Sequence, residues 1–181
     1  MCRSARQTLS LSLGLLLTAV SSQAQDFQPS EYQVKAAFLF NFAKFVEWPP
    51  EAFATDTSPI VIGVLGENPF GGDLEATIRS KQINNRSLVI KEFRSPTEAT
   101  NCHILFISAS EKTRLPEILS GLSKTNVLTV SETEGFTASG GMVNFVRENN
   151  KIRFQINDAA ARSANLRVSS KLLSLAVPPA K

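Results

Sequence analysis

The stretch GGMVNFVRENNKIRFQINDAAARSANLRVSSKLLSLA, residues 140–176, decides the C-terminal part of the fold. Apolar and polar residues alternate on both sides of Asn149 and Asn150, which tolerate the positive φ of a two-residue turn. This pattern predicts an antiparallel hairpin, and the turn fixes its register. The predicted facing pairs are Val143 with Ile156, Asn144 with Gln155, Phe145 with Phe154, Val146 with Arg153, and Glu148 with Lys151.

The two faces of this hairpin differ in polarity. Phe145 and Phe154 lie on an apolar face, which we expect to cover a core. Asn144 and Gln155 lie on the opposite face, which we expect to meet water or a polar partner. The hairpin is thus predicted to close one side of the domain.

The second half of the stretch has helical spacing. Asn157 or Asp158 is suited to cap a helix. Small and apolar residues then recur on one side, which predicts a helix that continues towards the end of the stretch. These residues are Ala161, Ala164, Val168, Leu172 and Leu175.

Upstream of the hairpin, helical and strand patterns alternate. A capping-box spacing at Ser30 and Gln33 starts a helix that should end before Trp48. Shorter helices are predicted from Asp73 to Arg79 and from Pro116 to Leu122. Four short apolar runs have the composition of buried strands, namely residues 60–65, 88–90, 104–107 and 127–130.

These patterns predict one fold class. No repeat, low-complexity tract or linker divides the chain. We therefore expect a single α/β domain with a largely parallel mixed sheet flanked by helices. A C-terminal antiparallel hairpin followed by a helix completes it.

The first helix carries more apolar side chains than one buried face requires. Phe38, Phe42 and Phe45 lie on it together with further apolar residues. Two explanations remain open: the helix is buried on two sides within the domain, or its second side meets another protein.

The N-terminus has the pattern of a signal peptide. Arg3 and Arg6 precede the apolar run from Leu9 to Val20, which is too short to span a bilayer. Small residues around Ala24 suit signal peptidase, so we expect cleavage of residues 1–24 and export of a domain formed by residues 25–181.

Cysteine usage limits covalent chemistry in the exported domain. The chain has two cysteines, and Cys2 would be lost with the signal peptide. Cys102 alone cannot form an intrachain disulfide, which leaves a free thiol or an intermolecular bridge.

Candidate catalytic and metal-binding residues are few. His103 is the only histidine, which excludes an ordinary multi-histidine zinc site. Cys102 adjoins it, but neighbouring strand residues point to opposite faces and cannot pair directly. Lysines and arginines form no runs, so nucleic acid is not an expected partner. We expect no catalytic residue, no metal site and no cofactor.

Two glycine-containing turns offer an alternative function. The loop from Gly66 to Gly72 follows a strand and precedes a helix, where backbone amides can bind an anion, but it lacks the Gly-Lys-Ser/Thr ending of a phosphate loop. A structural turn is the favoured interpretation. The alternative is a periplasmic small-molecule binding module with a pocket mouth formed by Gly66, Glu67, Asn68, Gly71, Gly140 and Gly141.

The order of motifs resembles the YfiR-like family of exported bacterial proteins. The motifs are AAFLFNFAKFVEWP, IVIGVLGENPFG, CHILFIS, VLTVSETEGF, GGMVNFVRENNKIRFQIN and LRVSSKLLSLA. The resemblance covers residues 32–176, and the aromatic helix ending in Trp-Pro is specific in combination with the Gly-Gly hairpin ending in Phe-x-Ile-Asn.

The resemblance implies a periplasmic repressor. The family's namesake binds the periplasmic sensor region of an inner-membrane diguanylate cyclase, lowers cyclic di-GMP production and is sequestered by an outer-membrane lipoprotein. The namesake also has additional cysteines and internal disulfides. The present chain departs from that pattern with Cys102 alone, so the resemblance does not extend to redox control through an internal bridge.

We therefore expect a non-enzymatic periplasmic regulatory protein that controls cyclic di-GMP signalling and biofilm formation through protein–protein interaction. A homodimer is the alternative assembly. The expected partner-binding residues are Phe38, Phe42 and Phe45 on the first helix, and Leu166 and Leu173 on the exposed side of the predicted C-terminal helix.

Overall fold

The structure, a computed structural model, describes residues 28–178. The predicted signal peptide, residues 1–24, lies outside the described residues. Within residues 28–178, none of the helices has the length and apolar character needed to span a bilayer.

Helices and strands alternate along the chain, as predicted. Short 3₁₀ helices at Pro50–Ala52, Glu98–Asn101 and Ala109–Arg114 connect some of them. The main elements are α1 (Glu31–Phe45), β1 (Val46–Glu47), β2 (Ile60–Leu65), α2 (Asp73–Ile78), β3 (Gln82–Ile83), β4 (Arg86–Phe93), β5 (Ile104–Ile107), α3 (Leu115–Leu122), β6 (Leu128–Ser131), β7 (Val143–Glu148), β8 (Lys151–Ile156), α4 (Asp158–Ser163), β9 (Arg167–Val168) and α5 (Ser170–Leu173).

A seven-stranded sheet with the order β3-β4-β2-β5-β6-β7-β8 forms the centre of the domain. The five inner strands run parallel, and β3 and β8 lie antiparallel at the two edges. β1 and β9 form a separate antiparallel pair. The predicted single α/β domain with a largely parallel mixed sheet is confirmed.

The predicted hairpin is confirmed in turn and register. Asn149 and Asn150 have φ of 49° and 60°, and all five predicted pairs face each other, including Phe145 with Phe154. The expectation that the polar face meets water was wrong at Asn144 and Gln155, which are buried. Gln155 lies beside Thr137 and donates a hydrogen bond from Nε2 to the Pro178 carbonyl, so a loop and the C-terminal segment cover this part of the face.

The predicted C-terminal helix was wrong in length. Asn157 caps α4, accepting a hydrogen bond from the Ala160 amide, but the helix ends at Ser163. Asn165 then adopts a φ of 58°, a left-handed conformation that ends helices. The following residues form β9, where Val168 pairs with Val46, and only then the short α5. Pairing with β1 therefore replaces helix continuation.

The sheet carries a core on each side. The larger core contains α1 and most of the phenylalanines, and the smaller one contains α3 with mainly aliphatic side chains. Phe42 is fully buried, with its ring centroid 5.2 Å from that of Phe154 and 5.9 Å from that of Phe145. The middle of α1 is thus fixed against the apolar face of the hairpin.

Candidate functional site

Two of the five predicted partner-binding residues lie in the core. Phe42 is 0% exposed and Leu166 is 1% exposed, so neither side chain is available to a partner in this conformation. The expectation that Leu166 lies on an exposed helix side was wrong, because it follows the turn at Asn165 instead of continuing a helix. Phe38 is half-buried, with its ring centroid 5.1 Å from that of Phe154.

The other two predicted residues, Phe45 and Leu173, are half-buried near the C-terminal end of α1. The Nζ atoms of Lys44 and Lys171 lie 5.5 Å and 5.3 Å from the centroid of the Phe45 ring. α5 is held beside this ring, since the Ser169 amide donates a hydrogen bond to the Phe45 carbonyl.

Leu175 follows α5 and is the large apolar side chain with the greatest exposure among the described residues, at 53%. Sequence reasoning missed it as a surface residue because helical spacing assigned it to a buried stripe. We give one name, the lysine-flanked patch, to Phe45 with Lys44 and Lys171 and to Leu173 and Leu175, which follow Lys171 in the chain. Apolar side chains together with charged ones have the composition of a protein-binding surface.

Charged side chains hold the opposite end of α1. The Lys35 side chain is 3% exposed, and its ammonium binds the carboxylates of Glu31 and Glu132. Tyr32 donates a hydrogen bond from its hydroxyl to Glu132, and Arg147 binds Glu31. Two lysine or arginine charges therefore meet two carboxylates, which is the condition for burying such a group.

This charged cluster shifts three pKa values. Burial alone would lower the pKa of Lys35, but its hydrogen bonds to Glu132 and Glu31 raise that pKa above the ordinary value. The hydrogen bond from Lys35 lowers the pKa of Glu31, and Arg147 contributes in the same direction. Burial, together with the Glu132 charge, raises the pKa of Tyr32. The cluster therefore favours the charged pairs near neutral pH.

Beyond the C-terminal end of α1, an aromatic cluster surrounds His103. The indole N–H of Trp48 donates to the His103 carbonyl at 3.1 Å, and the Phe53 ring stacks on the imidazole with centroids 4.5 Å apart. The Val61 amide donates to His103 Nδ1 at 3.0 Å. Because Nδ1 accepts this hydrogen bond, the neutral imidazole carries its proton on Nε2.

Burial lowers the pKa of His103. The Ala52 backbone opposes this shift, whereas the charge of Arg86 adds to it. Arg86 reaches this cluster from β4, with its guanidinium 3.7 Å from the centroid of the Phe53 ring. The neutral form of His103 is therefore the form that fits the site.

Cys102 and His103 do not act as a pair. Cys102 is buried and its thiol donates to the Ala99 carbonyl, while His103 Nδ1 is occupied by Val61. Burial raises the pKa of Cys102 to about 12, which leaves the thiol protonated and unreactive near neutral pH. Within residues 28–178, no group of three or more histidine, cysteine or acidic side chains could hold a metal ion.

The two predicted ligand-binding turns lie in different surroundings. Gly66 has a φ of 89° and its backbone packs against Ser110 and Glu111. Gly140 instead lines a small depression with Leu122 and Ala164.

The remaining loop residues have local roles. Asn68 donates a hydrogen bond to Glu92 and accepts one from the Phe70 amide, and the Glu67 amide donates to Ser110. Gly71 faces open space, whereas a side chain at Gly141 would overlap the Phe136 ring. These contacts describe structural turns.

The chain was compared with known sequences and solved structures. A search of the curated proteins found no match. A solved structure, the crystal structure of a conserved domain protein from Vibrio cholerae O1 biovar El Tor strain N16961, superposes with a TM-score of 0.55 at 10% identity. The match covers 82% of the present chain and 60% of that protein, and at this identity it supports the fold alone.

A match to a protein-family model identifies the family of the chain. The model described as DUF4154, YfiR/HmsC-like, matches residues 32–177, which is nearly all of the described chain. The chain therefore belongs to the YfiR/HmsC-like family.

Proposed function

We propose that this protein binds the periplasmic sensor region of an inner-membrane diguanylate cyclase and represses it, lowering cyclic di-GMP. The observation that carries the proposal is the exposed Leu175 in the lysine-flanked patch, on a member of the YfiR/HmsC-like family. Export would follow cleavage of residues 1–24, which agrees with the periplasmic location of the family.

Repression requires unequal binding to the two states of the partner. A ligand with equal affinity for both states shifts no equilibrium, so the protein must prefer the inactive conformation of the sensor region. An outer-membrane lipoprotein that competes for the protein would relieve repression by lowering the free concentration. No further chemistry is needed for this control.

The composition of the patch suggests the matching surface on the partner. Leu173 and Leu175 would enter an apolar recess, while Lys44 and Lys171 favour acidic residues at its rim. Phe45 also packs against the core, so it would contribute a fixed edge to the interface. The five residues of the patch include two lysines and no acidic residue, so pairing of two copies of this chain through the same patch would bring like charges together.

The proposal is tested by cyclic di-GMP levels in the native host. Deletion of the gene should raise cyclic di-GMP and biofilm matrix, and the natural protein should restore both. Leu175→Glu should fail to restore them, because an interface would bury the new carboxylate without a partner charge. Leu173→Glu is expected to act in the same direction.

A matched control separates binding from folding. Ala159→Glu places the same charge on an exposed position of α4, away from the patch, and should restore repression. Leu175→Glu and Ala159→Glu should both accumulate to natural abundance, since substitutions at exposed positions change the free energy of unfolding by about 0.5 kcal/mol or less. Unchanged cyclic di-GMP in the deletion strain would refute the proposal.

A further inference from the structure

His103 holds the chain between β1 and β2 against the sheet. We call this part of the chain, residues 48–59, the connecting segment. The Phe53 ring of the segment stacks on the imidazole with centroids 4.5 Å apart, and the Trp48 ring meets it edge-on at 5.8 Å. His103 is 5% exposed, whereas none of residues 48–59 is fully buried. The imidazole is therefore a principal point at which the segment packs on the domain.

The imidazole cannot accept a second proton without losing contacts. Nδ1 accepts a hydrogen bond from the Val61 amide at 3.0 Å, so a proton on Nδ1 would set two donors against each other. Nε2 is buried and has no hydrogen-bond partner among residues 28–178. An imidazolium would therefore lack an acceptor at both nitrogens, and each unmet buried donor costs about 1–3 kcal/mol.

The charges around His103 also disfavour an imidazolium. Arg86 from β4 adds a positive charge that lowers the pKa of His103, and burial lowers it further. None of the charged groups at this site forms an ion pair within the described residues. The cleft beside the imidazole is lined by four further titratable groups, namely Glu51 from the connecting segment, Lys91 from β4, the neutral thiol of Cys102, and Lys124 from the loop before β6. Three cations therefore stand against one carboxylate.

The connecting segment follows β1 directly, and β1 supports the lysine-flanked patch. Val46 of β1 pairs with Val168 of β9, and the Ser169 amide donates to the Phe45 carbonyl just before α5 begins. β1 and β9 have two residues each and form a separate sheet. Loss of the anchor at Trp48 would therefore free one end of a short strand pair that holds α5 in place.

We propose that protonation of His103 releases the connecting segment and loosens the β1–β9 pair, so that acid acts as a conformational switch beneath the lysine-flanked patch. In the released segment both imidazole N–H groups can donate to water. The ordinary pKa of histidine is 6.5, so release takes up one proton below that pH. The switch is a property of the domain, and only its effect on binding of the sensor region rests on the proposed function.

The test is hydrogen exchange of the purified protein, followed by nuclear magnetic resonance between about pH 7.5 and about pH 5. Trp48 is the only tryptophan, and its indole N–H donates to the His103 carbonyl at 3.1 Å. Protection of this N–H and of the Val61 amide, corrected for intrinsic exchange, should fall about tenfold per pH unit below pH 6.5, because release takes up one proton. The fall should end at the folded-state pKa of His103. Constant protection at both groups would overturn the proposal.

Two backbone amides show how far the release extends. The Ser169 amide should lose protection in parallel with Trp48, because it belongs to the loosened β1–β9 region. The Asn157 amide, which donates to the Met142 carbonyl at the hairpin, should keep its protection. An equal loss at Asn157 would indicate global unfolding and overturn the switch. Constant protection at Ser169 would overturn the connection to the patch.

Substitution of His103 shows whether the imidazole is the group that takes up the proton. His103→Asn can still accept a hydrogen bond from the Val61 amide but cannot be protonated, so protection of Trp48 should not depend on pH. His103→Gln gives a second neutral variant. Glu51→Gln, the matched control, removes the carboxylate of the same cleft and should keep the acid response. A response that persists in both His103 variants, or that is lost in Glu51→Gln, would contradict the proposal.

Calorimetry with the sensor region tests the effect on the patch. The natural protein should bind more weakly at about pH 5.5 than His103→Asn, because release of half of the molecules weakens the apparent affinity about twofold. Equal affinities at about pH 5.5, with release shown by hydrogen exchange, would overturn the effect on the patch. Absence of binding at about pH 7.5 would refute the proposed function, and hydrogen exchange would still decide whether the switch exists.

Discussion

The two ends of α1 are held by opposite kinds of contact. At the N-terminal end, Lys35 is buried among carboxylates and its charge is required. Beyond the C-terminal end, His103 is buried between aromatic rings and its lack of charge is required. The same helix is thus fixed by ion pairing at one end and by neutral packing at the other.

This difference means that solution conditions act on the two ends separately. The pKa of His103 is lowered from 6.5, so its contribution to stability is complete above pH 6.5 and is lost as the pH falls through the folded-state pKa. The pKa of Lys35 is raised from 10.5, so its contribution is complete below pH 10.5 and is lost as the pH rises through its folded-state pKa.

The largest expected change in the free energy of unfolding comes from the buried phenylalanine rings that pack between α1 and the β7–β8 hairpin. Phe154→Ala removes a buried ring that packs on Phe42 and should lower the free energy of unfolding by about 3–5 kcal/mol. Urea unfolding monitored by circular dichroism measures this change. If the variant unfolded at the same urea concentration as the natural protein, α1 would not depend on the hairpin.

The next effect concerns the charged end. Glu132→Ala leaves the buried Lys35 ammonium with Glu31 alone and should cost about 3 kcal/mol, near the lower end for breaking a buried ion pair. Glu117→Ala is the control, because Glu117 is exposed and, among residues 28–178, forms an ion pair with Arg114 alone. Equal unfolding free energies for the two variants would show that the charged cluster contributes no more than a surface pair.

A smaller effect is expected at the aromatic end. His103→Leu keeps apolar bulk but leaves the Val61 amide without its acceptor, which should cost about 1–3 kcal/mol at about pH 8. The variant should also lose the decline in stability that we predict for the natural protein between pH 6.5 and about pH 5, where carboxylates titrate little.

The pH comparison has a clear negative outcome. His103 is the only histidine, so no other imidazole can produce a decline in this range. If His103→Leu kept the decline, the acid sensitivity would not originate at the C-terminal end of α1, and the contrast between the two ends would be lost.

The smallest effect is expected at the exposed margin of the charged cluster. Arg147 is 60% exposed and binds Glu31 from the solvent side, so Arg147→Ala should cost only about 0.2–1 kcal/mol. The difference from the natural protein should disappear in about 1 M salt, which screens exposed pairs. If Arg147→Ala lowered the free energy of unfolding as much as Glu132→Ala, the cation whose ion pair matters most would be Arg147 and not Lys35.

The success of the sequence analysis followed from local constraints. The Asn149-Asn150 turn fixes every facing pair of the hairpin, because a one-residue slip would move Phe145 to the other face. The capping box at Ser30 likewise fixed the start of α1. Where a short segment determines its own geometry, prediction reached individual residues.

Prediction failed where distant contacts decide the structure. Residues 161–175 have helical spacing, yet pairing of Val168 with Val46 divides them among α4, β9 and α5. Asn165, in a left-handed conformation, ends the helix, and the helical spacing of the apolar residues led the prediction to overlook it.

The candidate site was predicted only in part for the same reason. Aromatic spacing identified α1 as a helix with excess apolar surface but did not separate buried Phe42 from half-buried Phe45. Lys35 and Glu132 are 97 positions apart, and Val61 and His103 are 42 apart, so neither contact has a local signal. Topology brings these side chains together.

The most direct test of the account is the affinity of the purified protein for the purified periplasmic sensor region of a diguanylate cyclase from the same host, measured by calorimetry. We predict binding by the natural protein and by Ala159→Glu. Binding by Leu175→Glu should be weaker by at least about tenfold, as for an unpaired charge buried at an interface centre. Equal affinities for the natural protein and Leu175→Glu would contradict the account.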